Sequence, residues 1–514
     1  MSGVAGEHRP VEVGGALGGG AFDVEAVLEG AVGGDHPEEA CGVFAAFVPG
    51  VAASYLVFDG LLALQHRGQE SAGMAVSDGT QLWIDKDMGL VAQVFNDYKL
   101  AALAGHVAIG HTRYSTTGSS TWRNAQPVYR DTGGGGFALA HNGNLTNTAA
   151  LGAELGVLPG MAGSDSDLVA ELLAQAMGAL PFDGGGLEGA LASVLPRLEG
   201  AFSLVLCDVG QVIGVRDPRG FRPLCLGRLE EGGWVLASES PALDVVGAHF
   251  VRELDPGEMV VIDAAGCRSV RPFPDAEVEP RLCIFEFVYF ARPDSRLYGK
   301  EVQAARHRMG QALADEAPLP PETVSPARPV MVMGVPDSGV PAAEGFALRS
   351  GLPYGQGLVK NRYIGRTFIA PDQHKRDMGV RRKLNPLRGA IEGKRLVVVD
   401  DSIVRGTTSK QLVRLLREAG AAEVHLRLIS PPYRWPCFYG MDTGTRAELL
   451  AANLSVGEIK DFLAVDSLAY LSLDGLTGAI DAPGAGFCTA CLTGEYPVPV
   501  PMALHKGVLE VTGG

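Results

Sequence analysis

The sequence lacks the features that mark membrane, secreted and disulfide-rich proteins. Its 514 residues contain no run near the ~18 consecutive apolar residues that a membrane-spanning helix needs. The N-terminus has neither the basic start nor the apolar stretch of a secretory signal. Eight cysteines in so long a chain are too few for a disulfide framework. We therefore expect a cytoplasmic protein whose cysteines are core residues, metal ligands or nucleophiles.

An excess of positive charge is also missing. The chain has 43 Lys and Arg against 59 Asp and Glu, a net charge of −16. Because affinity for nucleic acids rests largely on basic surface that neutralises phosphates, we exclude a general nucleic-acid binder. The composition, 46% hydrophobic and 20% charged, is that of an ordinary globular protein. At roughly 150 residues per domain, the length predicts two to four domains.

The pattern along the chain divides it into three parts. Residues 1–40 hold ten glycines, eight acids and one arginine without a sustained apolar period, and we interpret them as a leader. Residues 41–270 alternate short apolar runs with glycine-rich turns and two helical periods, which predicts a layered α/β or α+β domain. A Pro-rich passage places a boundary near residue 270. In residues 271–514, apolar runs lead through turns into helices, which is typical of a parallel sheet.

Particular segments carry these secondary-structure predictions. Strands are expected at residues 73–76, 106–110, 137–140, 202–207, 329–334 and 395–400, and helices at residues 55–64 and 167–177.

An acidic pair precedes a glycine-containing loop in the second domain. An apolar strand ends in Asp400 and Asp401, and Gly406, Thr407 and Thr408 then lead into a helix. The amides at a helix start attract an anion, and the glycine lets the backbone approach it. Adjacent carboxylates suit sugar hydroxyls or a hard cation such as Mg²⁺. A sugar phosphate satisfies both demands; the alternative is a solvated turn at a strand end.

Two further segments fit a phosphorylated substrate. The loop 334–339 follows a buried strand, so its amides could hold a pyrophosphate and Ser338 could reach the metal. Residues 360–383, which include Lys360 and Arg362, hold eight basic residues against two acids. They are either a solvated basic loop or a flap that closes over a polyanion and excludes water.

A cysteine stands at the border between the leader and the first apolar strand. As a nucleophile, Cys41 would need a base and an oxyanion site. Four histidines are available, none in a recognisable arrangement with it: His66, His106, His111 and His141. Cleavage between Ala40 and Cys41 would free an α-amine, with an ordinary pKa near ~8, to carry the thiol proton.

Four other cysteines could form one metal site. A Cys-x-x-Cys pair and two distant thiols suit either zinc or an iron–sulfur cluster: Cys283, Cys437, Cys488 and Cys491. Cys207, Cys225 and Cys267 have no matching partners, and we interpret them as core or surface thiols.

Ordered motifs in both halves resemble known families. In the first domain these are CGVF from Cys41, LQHRGQES from Leu64, GHTRYST from Gly110, AHNGN from Ala140 and GSDSD from Gly163. They are similar to the motifs of N-terminal-nucleophile (Ntn) glutamine amidotransferases. The acidic pair and its loop resemble the signature of type I phosphoribosyltransferases, which bind phosphoribosyl pyrophosphate (PRPP). Together, over nearly all of residues 36–505, they resemble the amidophosphoribosyltransferase family.

This resemblance implies a fold and an activity. The fold would be a four-layer αββα Ntn-hydrolase domain followed by a phosphoribosyltransferase domain with a mainly parallel sheet. Ammonia from glutamine would pass internally to PRPP bound with Mg²⁺, giving 5-phosphoribosylamine, glutamate and pyrophosphate, the first committed step of purine synthesis. The family also implies a homotetramer, inhibition by purine nucleotides, and no nucleic-acid or membrane partner.

The resemblance also implies roles for matching residues. Cys41 would attack glutamine, and Asn142 and the Gly143 N–H would form the oxyanion hole. Arg113 would pair with the substrate carboxylate and Asp165 with its α-ammonium group. The residues implied for PRPP are Lys360, Arg362, Asp400, Asp401, Arg405, Gly406, Thr407 and Thr408. Those implied for Mg²⁺ are Ser338, Asp400 and Asp401.

The contexts of the four grouped cysteines resemble the family branch that has a 4Fe–4S cluster and a cleaved leader. Two rival functions remain. One is another glutamine-dependent synthase, making hexosamine or asparagine, against which the acidic loop argues. The other is a PRPP-sensing DNA-binding regulator, which would need a DNA-binding module and would not need Cys41, Arg113 and Asn142 together.

Overall fold

The computed structural model describes residues 41–114, 120–132, 136–156, 163–179, 185–319, 329–361, 383–441 and 445–500. The predicted leader lies outside these residues. None of the helices in the described ranges is long and apolar enough to cross a membrane.

The first half contains two antiparallel sheets. The strands are β1 Gly42–Phe47, β2 Ser71–Ser77, β3 Leu82–Met88, β4 Val107–Arg113, β5 Val128–Arg130, β6 Phe137–Leu145, β7 Gly200–Cys207, β8 Val212–Arg216, β9 Cys225–Leu229, β10 Trp234–Ala237, β11 Ala248–Glu253, β12 Met259–Asp263 and β13 Gly266–Val270. One sheet has seven strands in the order β11-β9-β10-β1-β4-β2-β3, and the other has six in the order β13-β12-β8-β7-β6-β5.

Helices cover the outer faces of both sheets. They are α1 Ala53–Ala63, α2 Val91–Val94, α3 Asp97–Ala102, α4 Thr148–Glu154, α5 Asp165–Ala179, α6 Gly186–Val194 and α7 Ser240–Val245. Short 3-10 turns span Trp122–Asn124 and Leu195–Arg197.

The alternation of side chains along β1 builds three of the layers. Val43, Ala45 and Phe47 point into the core between the two sheets. Phe44 and Ala46 point the other way, into the core under α1 and α7. Helices α5 and α6 pack against the far face of the six-stranded sheet. Because successive strand residues face opposite sides, this gives the αββα arrangement that was predicted.

The second half is organised around a parallel sheet. The strands of this half are β14 Leu282–Cys283, β15 Arg296–Leu297, β16 Lys300–Glu301, β17 Val330–Gly334, β18 Leu358–Lys360, β19 Leu384–Pro386, β20 Arg395–Asp400, β21 Glu423–Leu428, β22 Ser467–Tyr470 and β23 Phe487–Cys488. Its helices are α8 Val302–Glu316, α9 Gly339–Ser350, α10 Arg388–Ile391, α11 Thr407–Glu418, α12 Leu450–Asn453, α13 Val456–Leu463, α14 Leu473–Ile480 and α15 Ala490–Thr493. A π-helical turn spans Glu286–Phe290, and 3-10 turns span Asp275–Glu277 and Arg446–Glu448.

The four parallel strands have the order β17-β20-β21-β22, and the inner strand β20 is buried on both faces. In β20, Val397 and Val399 pack with α8, α9 and α14. Leu396 and Val398 pack with α11 and α13 on the other side. The apolar run of β20 and its parallel pairing are therefore as predicted, and the same holds for the fold class as a whole.

The predicted boundary near residue 270 coincides with the end of β13, but the chain does not leave the first domain there. The amide of Arg281 donates to the Arg219 carbonyl, and that of Cys283 donates to the Phe221 carbonyl, 3.1 Å away. The passage after the boundary thus runs along loop 218–221. The exact domain bounds stay a prediction.

Four buried charges lie where the two halves meet. Arg67 contacts both Glu239 and Glu286, and Arg222 Nη1 lies 3.1 Å from Glu286 Oε1. The exposed fraction of each of the four residues is 1% or less. Removing one partner of such a buried pair leaves an unpaired charge and costs about 3–5 kcal/mol. We call these four residues the junction network.

The packing of α8 against α9 generates a prediction about stability. Replacing Gly310 of α8 by alanine would drive a Cβ into the backbone carbonyl of Ala342 in α9. The backbones of the two helices would then have to move apart. We expect Gly310→Ala to lower the free energy of unfolding by about 1–3 kcal/mol through overpacking, measured by chemical denaturation. Gly478→Ala in α14 is the matched control, because nothing lies within 4 Å of its added Cβ. Equal effects of the two changes would contradict the close helix contact.

Candidate functional site

The thiol of Cys41 is held at the start of β1. Its side chain is buried, and its Sγ lies 3.3 Å from the carbonyl oxygen and 3.4 Å from the amide nitrogen of Tyr114. Burial raises the pKa of the thiol to about 12, an effect that the charge of Arg113 reduces. While Ala40 precedes it, the nitrogen of Cys41 is an amide and cannot act as a base. The thiol of the intact chain is therefore protonated at neutral pH.

The four candidate histidines make other contacts. His111 Nε2 lies 3.1 Å from the His141 carbonyl, and burial lowers the pKa of His111 to about 3. His66 binds Glu239 of the junction network at 2.7 Å. His106 packs edge-on against a phenylalanine ring. In the part of the chain that is described, the Cys41 thiol donates to the Tyr114 carbonyl and accepts from the Tyr114 amide, so a Cys–His pair is not formed.

Asn142 and Gly143 lie side by side on β6. Asn142 is fully buried, and within the described residues neither its Nδ2 nor its Oδ1 has a hydrogen-bond partner. A buried amide group left unpaired costs about 1–3 kcal/mol, so it is suited to a bound substrate. Gly143 has φ 152°, and a Cβ there would overlap the Ala201 carbonyl oxygen. Only glycine fits this position.

The predicted glutamine ligands lie near the nucleophile. Arg113 ends β4, and Asp165 begins α5; both are buried, and both influence the pKa of the Cys41 thiol. Burial alone would raise the pKa of Asp165, but His141 and the Leu145 amide, 3.2 Å away, hold it below its usual value. Arg113 Nη1 also lies 3.7 Å from Glu70 Oε2, so charges of both signs act on the thiol. This suits a substrate that carries one carboxylate and one ammonium group.

The acidic pair lies at the carboxyl end of β20. Asp400 and Asp401 are buried, and the Asp401 amide donates to Asp400 Oδ1 at 2.9 Å. Ser338 Oγ donates to Asp401 Oδ2 at 2.5 Å, because the neighbouring strand β17 leads directly into the Ser338 loop. Ser402 Oγ donates to the other oxygen of Asp401 at 2.6 Å. The structure thus brings together the residues expected to bind Mg²⁺.

The loop after the acids has the geometry of an anion site. Gly406 adopts φ 83° immediately before α11, and Thr407 and Thr408 form its first, partly exposed turn. Arg405 is buried and its Nε lies 3.1 Å from Glu448 Oε2. Backbone amides and hydroxyls at this helix start are donors suited to a phosphate.

The basic segment is only partly described. Lys360 ends β18, and its Nζ lies 2.6 Å from Asp337 Oδ2 in the loop before Ser338; both side chains are largely exposed. Residues 362–382 of the predicted flap, which include Arg362, lie outside the described residues. Strands β18 and β19, which flank this segment, pair antiparallel.

The four grouped cysteines come from three separate segments. Cys283 of β14 is paired with Cys488 of β23, and Cys491 follows in α15. Burial raises the pKa of the Cys283 thiol to about 12, an effect that Arg222 reduces and Cys437 adds to. Yet no three His, Cys, Asp or Glu side chains in the described residues are placed to hold one metal ion. The described residues therefore do not show the predicted cysteine cluster, and the 4Fe–4S site stays a prediction.

The sequence predictions missed several residues around the first site. The junction network was not identified, although Glu286 interrupts an apolar run and Arg222 follows Phe221 directly. A charged residue inside or beside an apolar run was the signal that could have indicated a buried ion pair. Gly440 gave no signal, since its contact with Gly143 depends on the packing of the two halves.

Comparison with known proteins agrees with this geometry. The model of the glutamine amidotransferase domain matches residues 111–245, and the model of the phosphoribosyl transferase domain matches residues 322–429. The chain is 51% identical over 491 residues to an amidophosphoribosyltransferase of Mycobacterium tuberculosis, covering 93% of this chain and 90% of that protein. It is 50% identical over 481 residues to one of Synechococcus elongatus, covering 92% and 94%.

Two solved structures are similar over most of the chain. One, described as the allosteric regulatory enzyme of purine biosynthesis, has a TM-score of 0.83 and 42% identity, and covers 91% of this chain and 99% of that one. The other is the glutamine PRPP amidotransferase of B. subtilis complexed with ADP and GMP. It has a TM-score of 0.81 and 42% identity, and covers 90% of this chain and 98% of that one.

Proposed function

The chain belongs to the amidophosphoribosyltransferase family, and on that premise we propose how its residues divide the reaction. It transfers ammonia from glutamine to PRPP, which gives 5-phosphoribosylamine, glutamate and pyrophosphate in the first committed step of purine synthesis. The two rival functions are not supported, because relatives that match 93% of the chain share this one activity.

The observation that carries the assignment of the first site is the buried side-chain amide of Asn142 beside Gly143, which has no hydrogen-bond partner among the described residues. Oxyanion holes consist of fixed donors aimed at the position where negative charge develops. We assign the Asn142 Nδ2 and the Gly143 N–H to this role. Arg113 and Asp165 hold the carboxylate and the ammonium group of glutamine.

We propose that the reaction at Cys41 requires removal of residues 1–40. The freed α-amine takes the thiol proton, and the sulfur attacks the side-chain carbonyl of glutamine. The oxyanion so formed is bound by Asn142 and Gly143. As the C–N bond breaks, the protonated amine gives its proton to the leaving ammonia. Water then hydrolyses the thioester to glutamate and regenerates the thiol.

In the second site, Asp400 and Asp401 bind the ribose hydroxyls and the first turn of α11 binds the 5-phosphate. Arg405, Gly406, Thr407 and Thr408 form this phosphate loop. Lys360 and Arg362 approach the pyrophosphate from the flap. Ammonia attacks the anomeric carbon, and pyrophosphate leaves.

Mg²⁺ fits the second site once the substrate is bound. Asp400, Asp401 and Ser338 offer carboxylate and hydroxyl oxygens, which are the ligands this cation prefers. In the described residues they do not make a complete metal site, so PRPP oxygens and water would supply the rest. The ion would neutralise charge that develops on the pyrophosphate.

A 4Fe–4S cluster suits the four grouped cysteines better than zinc does. A single tetrahedral zinc ion needs its four sulfurs closer together than a four-iron cube does. Burial raises the pKa values of Cys488 and Cys491, which the other cysteines raise further, so the thiols lie within electrostatic reach of one another. The described residues do not, however, form a compact site for one ion. We assign the cluster a structural role.

Further proposals rest on the relatives. The B. subtilis enzyme binds ADP and GMP, and we propose that purine nucleotides inhibit this chain as well. A homotetramer and a cytoplasmic location remain predictions.

The division of labour predicts the effect of replacing the nucleophile. Cys41→Ser should abolish glutamine-dependent synthesis but keep ammonia-dependent synthesis within about twofold, because the second site is untouched. Both rates are measured as phosphoribosylamine formation. Cys267→Ser, at a half-buried thiol of β13, is the control and should keep both activities. Loss of the ammonia-dependent rate in Cys41→Ser would contradict the proposal.

The assignment of the acidic pair predicts the opposite result. Asp400→Asn with Asp401→Asn should abolish PRPP turnover with either nitrogen donor, because the charge that holds ribose and cation is gone. Basal glutaminase should persist. Asp474→Asn, on α14, is the control for carboxylate loss. Normal PRPP kinetics in the double variant would rule out this site.

The cluster proposal is tested by chemical analysis of anaerobically purified protein. We expect about four iron and four sulfide per chain, falling in Cys437→Ser. Cys225→Ser, at a buried thiol outside the group, should keep its iron. Stoichiometric zinc in the native protein would overturn the assignment.

A further inference from the structure

A segment of the second domain covers the oxyanion strand. The Asn144 Nδ2 donates to the Phe438 carbonyl at 2.9 Å. A Cβ built on Gly440 would stand 3.2 Å from both the Cα and the carbonyl carbon of Gly143. Gly440 has φ 101°, a conformation that favours glycine. Residues 438–440 are therefore in direct contact with the strand that carries Asn142 and Gly143.

Arg222 fixes this segment from the other side. Its guanidinium donates to the Tyr439 carbonyl from Nε at 3.2 Å and from Nη2 at 2.9 Å. Its Nη1 donates to Glu286 at 3.1 Å. The same Cβ on Gly440 would lie 3.1 Å from Arg222 Nη2. The Gly440 backbone is thus confined between a buried guanidinium and the backbone of Gly143.

The backbone of Arg222 is hydrogen-bonded to the six-stranded sheet that contains β6. Its carbonyl accepts from Ser203 Oγ at 3.0 Å and from Arg216 Nε at 3.0 Å. Ser203 lies on β7 directly opposite Asn142 of β6. The contacts therefore form a closed path from β6 through β7 and Arg222 to Tyr439, Gly440 and back to β6.

The charge of Arg222 is also felt at the nucleophile. Arg222 donates to the Glu286 carboxylate at 3.1 Å and, like any arginine in a protein, stays a cation. Among the charges that act on the Cys41 thiol, Arg113 is the first and Arg222 is another that lowers its pKa.

We propose that Arg222 is a positioning residue of the glutamine reaction, which holds Tyr439 and Gly440 against Gly143 and so aligns the oxyanion amide. The second domain then completes a site whose reacting groups all belong to the first. This inference rests on the proposed oxyanion role of Asn142 and Gly143. Alignment matters because these donors must lie about 2.7–3.1 Å from the developing oxyanion.

The test compares Arg222→Met with Arg427→Met in leader-processed enzyme that contains both domains. Arg427 is an equally buried arginine of β21, whose guanidinium donates to the Ala317 and Leu426 carbonyls. We expect Arg222→Met to lower kcat for glutamine about 10- to 100-fold. The KM for glutamine should stay within about threefold, because the lost interaction acts in the transition state. The ammonia-dependent rate should be retained.

Arg427→Met should lower thermal stability without this selective loss of kcat. If Arg222→Met leaves kcat unchanged, or lowers the glutamine and ammonia rates together as a general folding defect does, the proposal is wrong.

Two more variants keep the test decisive. Gly440→Ala keeps the Arg222 guanidinium but directs a methyl group at both the Gly143 backbone and Arg222 Nη2, and it should show the same loss of kcat at unchanged KM. It stands in if Arg222→Met does not fold; a normal kcat in Gly440→Ala would then overturn the proposal. Asn142→Ala tests the oxyanion role separately from the positioning role of Arg222. An undiminished kcat in this variant refutes the oxyanion assignment, whatever Arg222→Met shows.

Discussion

The junction network is the interaction that fixes the contact between the two halves of the chain. Glu286 of the second domain accepts from Arg67 and Arg222 of the first, and all three side chains are buried. Each guanidinium is rigid and planar, so it holds its partners in one geometry. Two arginines and two glutamates alternate in the network, and removing any one of them leaves an uncompensated buried charge. This makes the contact between the domains specific, and it places the Tyr439–Gly440 backbone beside the oxyanion strand.

The same burial supports the proposed processing at Cys41. Inside the fold the pKa of the Cys41 thiol rises to about 12, far from a reactive thiolate at neutral pH. The nearby histidines bind backbone or carboxylate groups and do not supply a base. An α-amine freed at Cys41 would provide one within a few bonds of the sulfur. The change in composition at residue 41 would then coincide with the cleavage site that frees this amine.

Much of the fold followed from short-range patterns. The uninterrupted apolar run from Leu396 to Val399 predicted a strand buried on both faces of a parallel sheet, and the acids that follow it predicted a ligand site at its end. Asn142 and Gly143 were identified from an ordered motif, and the structure adds why glycine is required at residue 143. The role proposed for Arg222 could not be predicted, because its bonds to Tyr439 join residues 217 positions apart. Such contacts depend on how two domains pack, which no local pattern contains.

The central claim is that Cys41 acts as nucleophile with its own α-amine as base. Intact-mass measurement and N-terminal sequencing of the active protein test it most directly. The account predicts a chain that begins at Cys41, and a cleavage-blocked variant that uses ammonia but not glutamine. Glutamine-dependent activity in protein that retains residues 1–40 would contradict it.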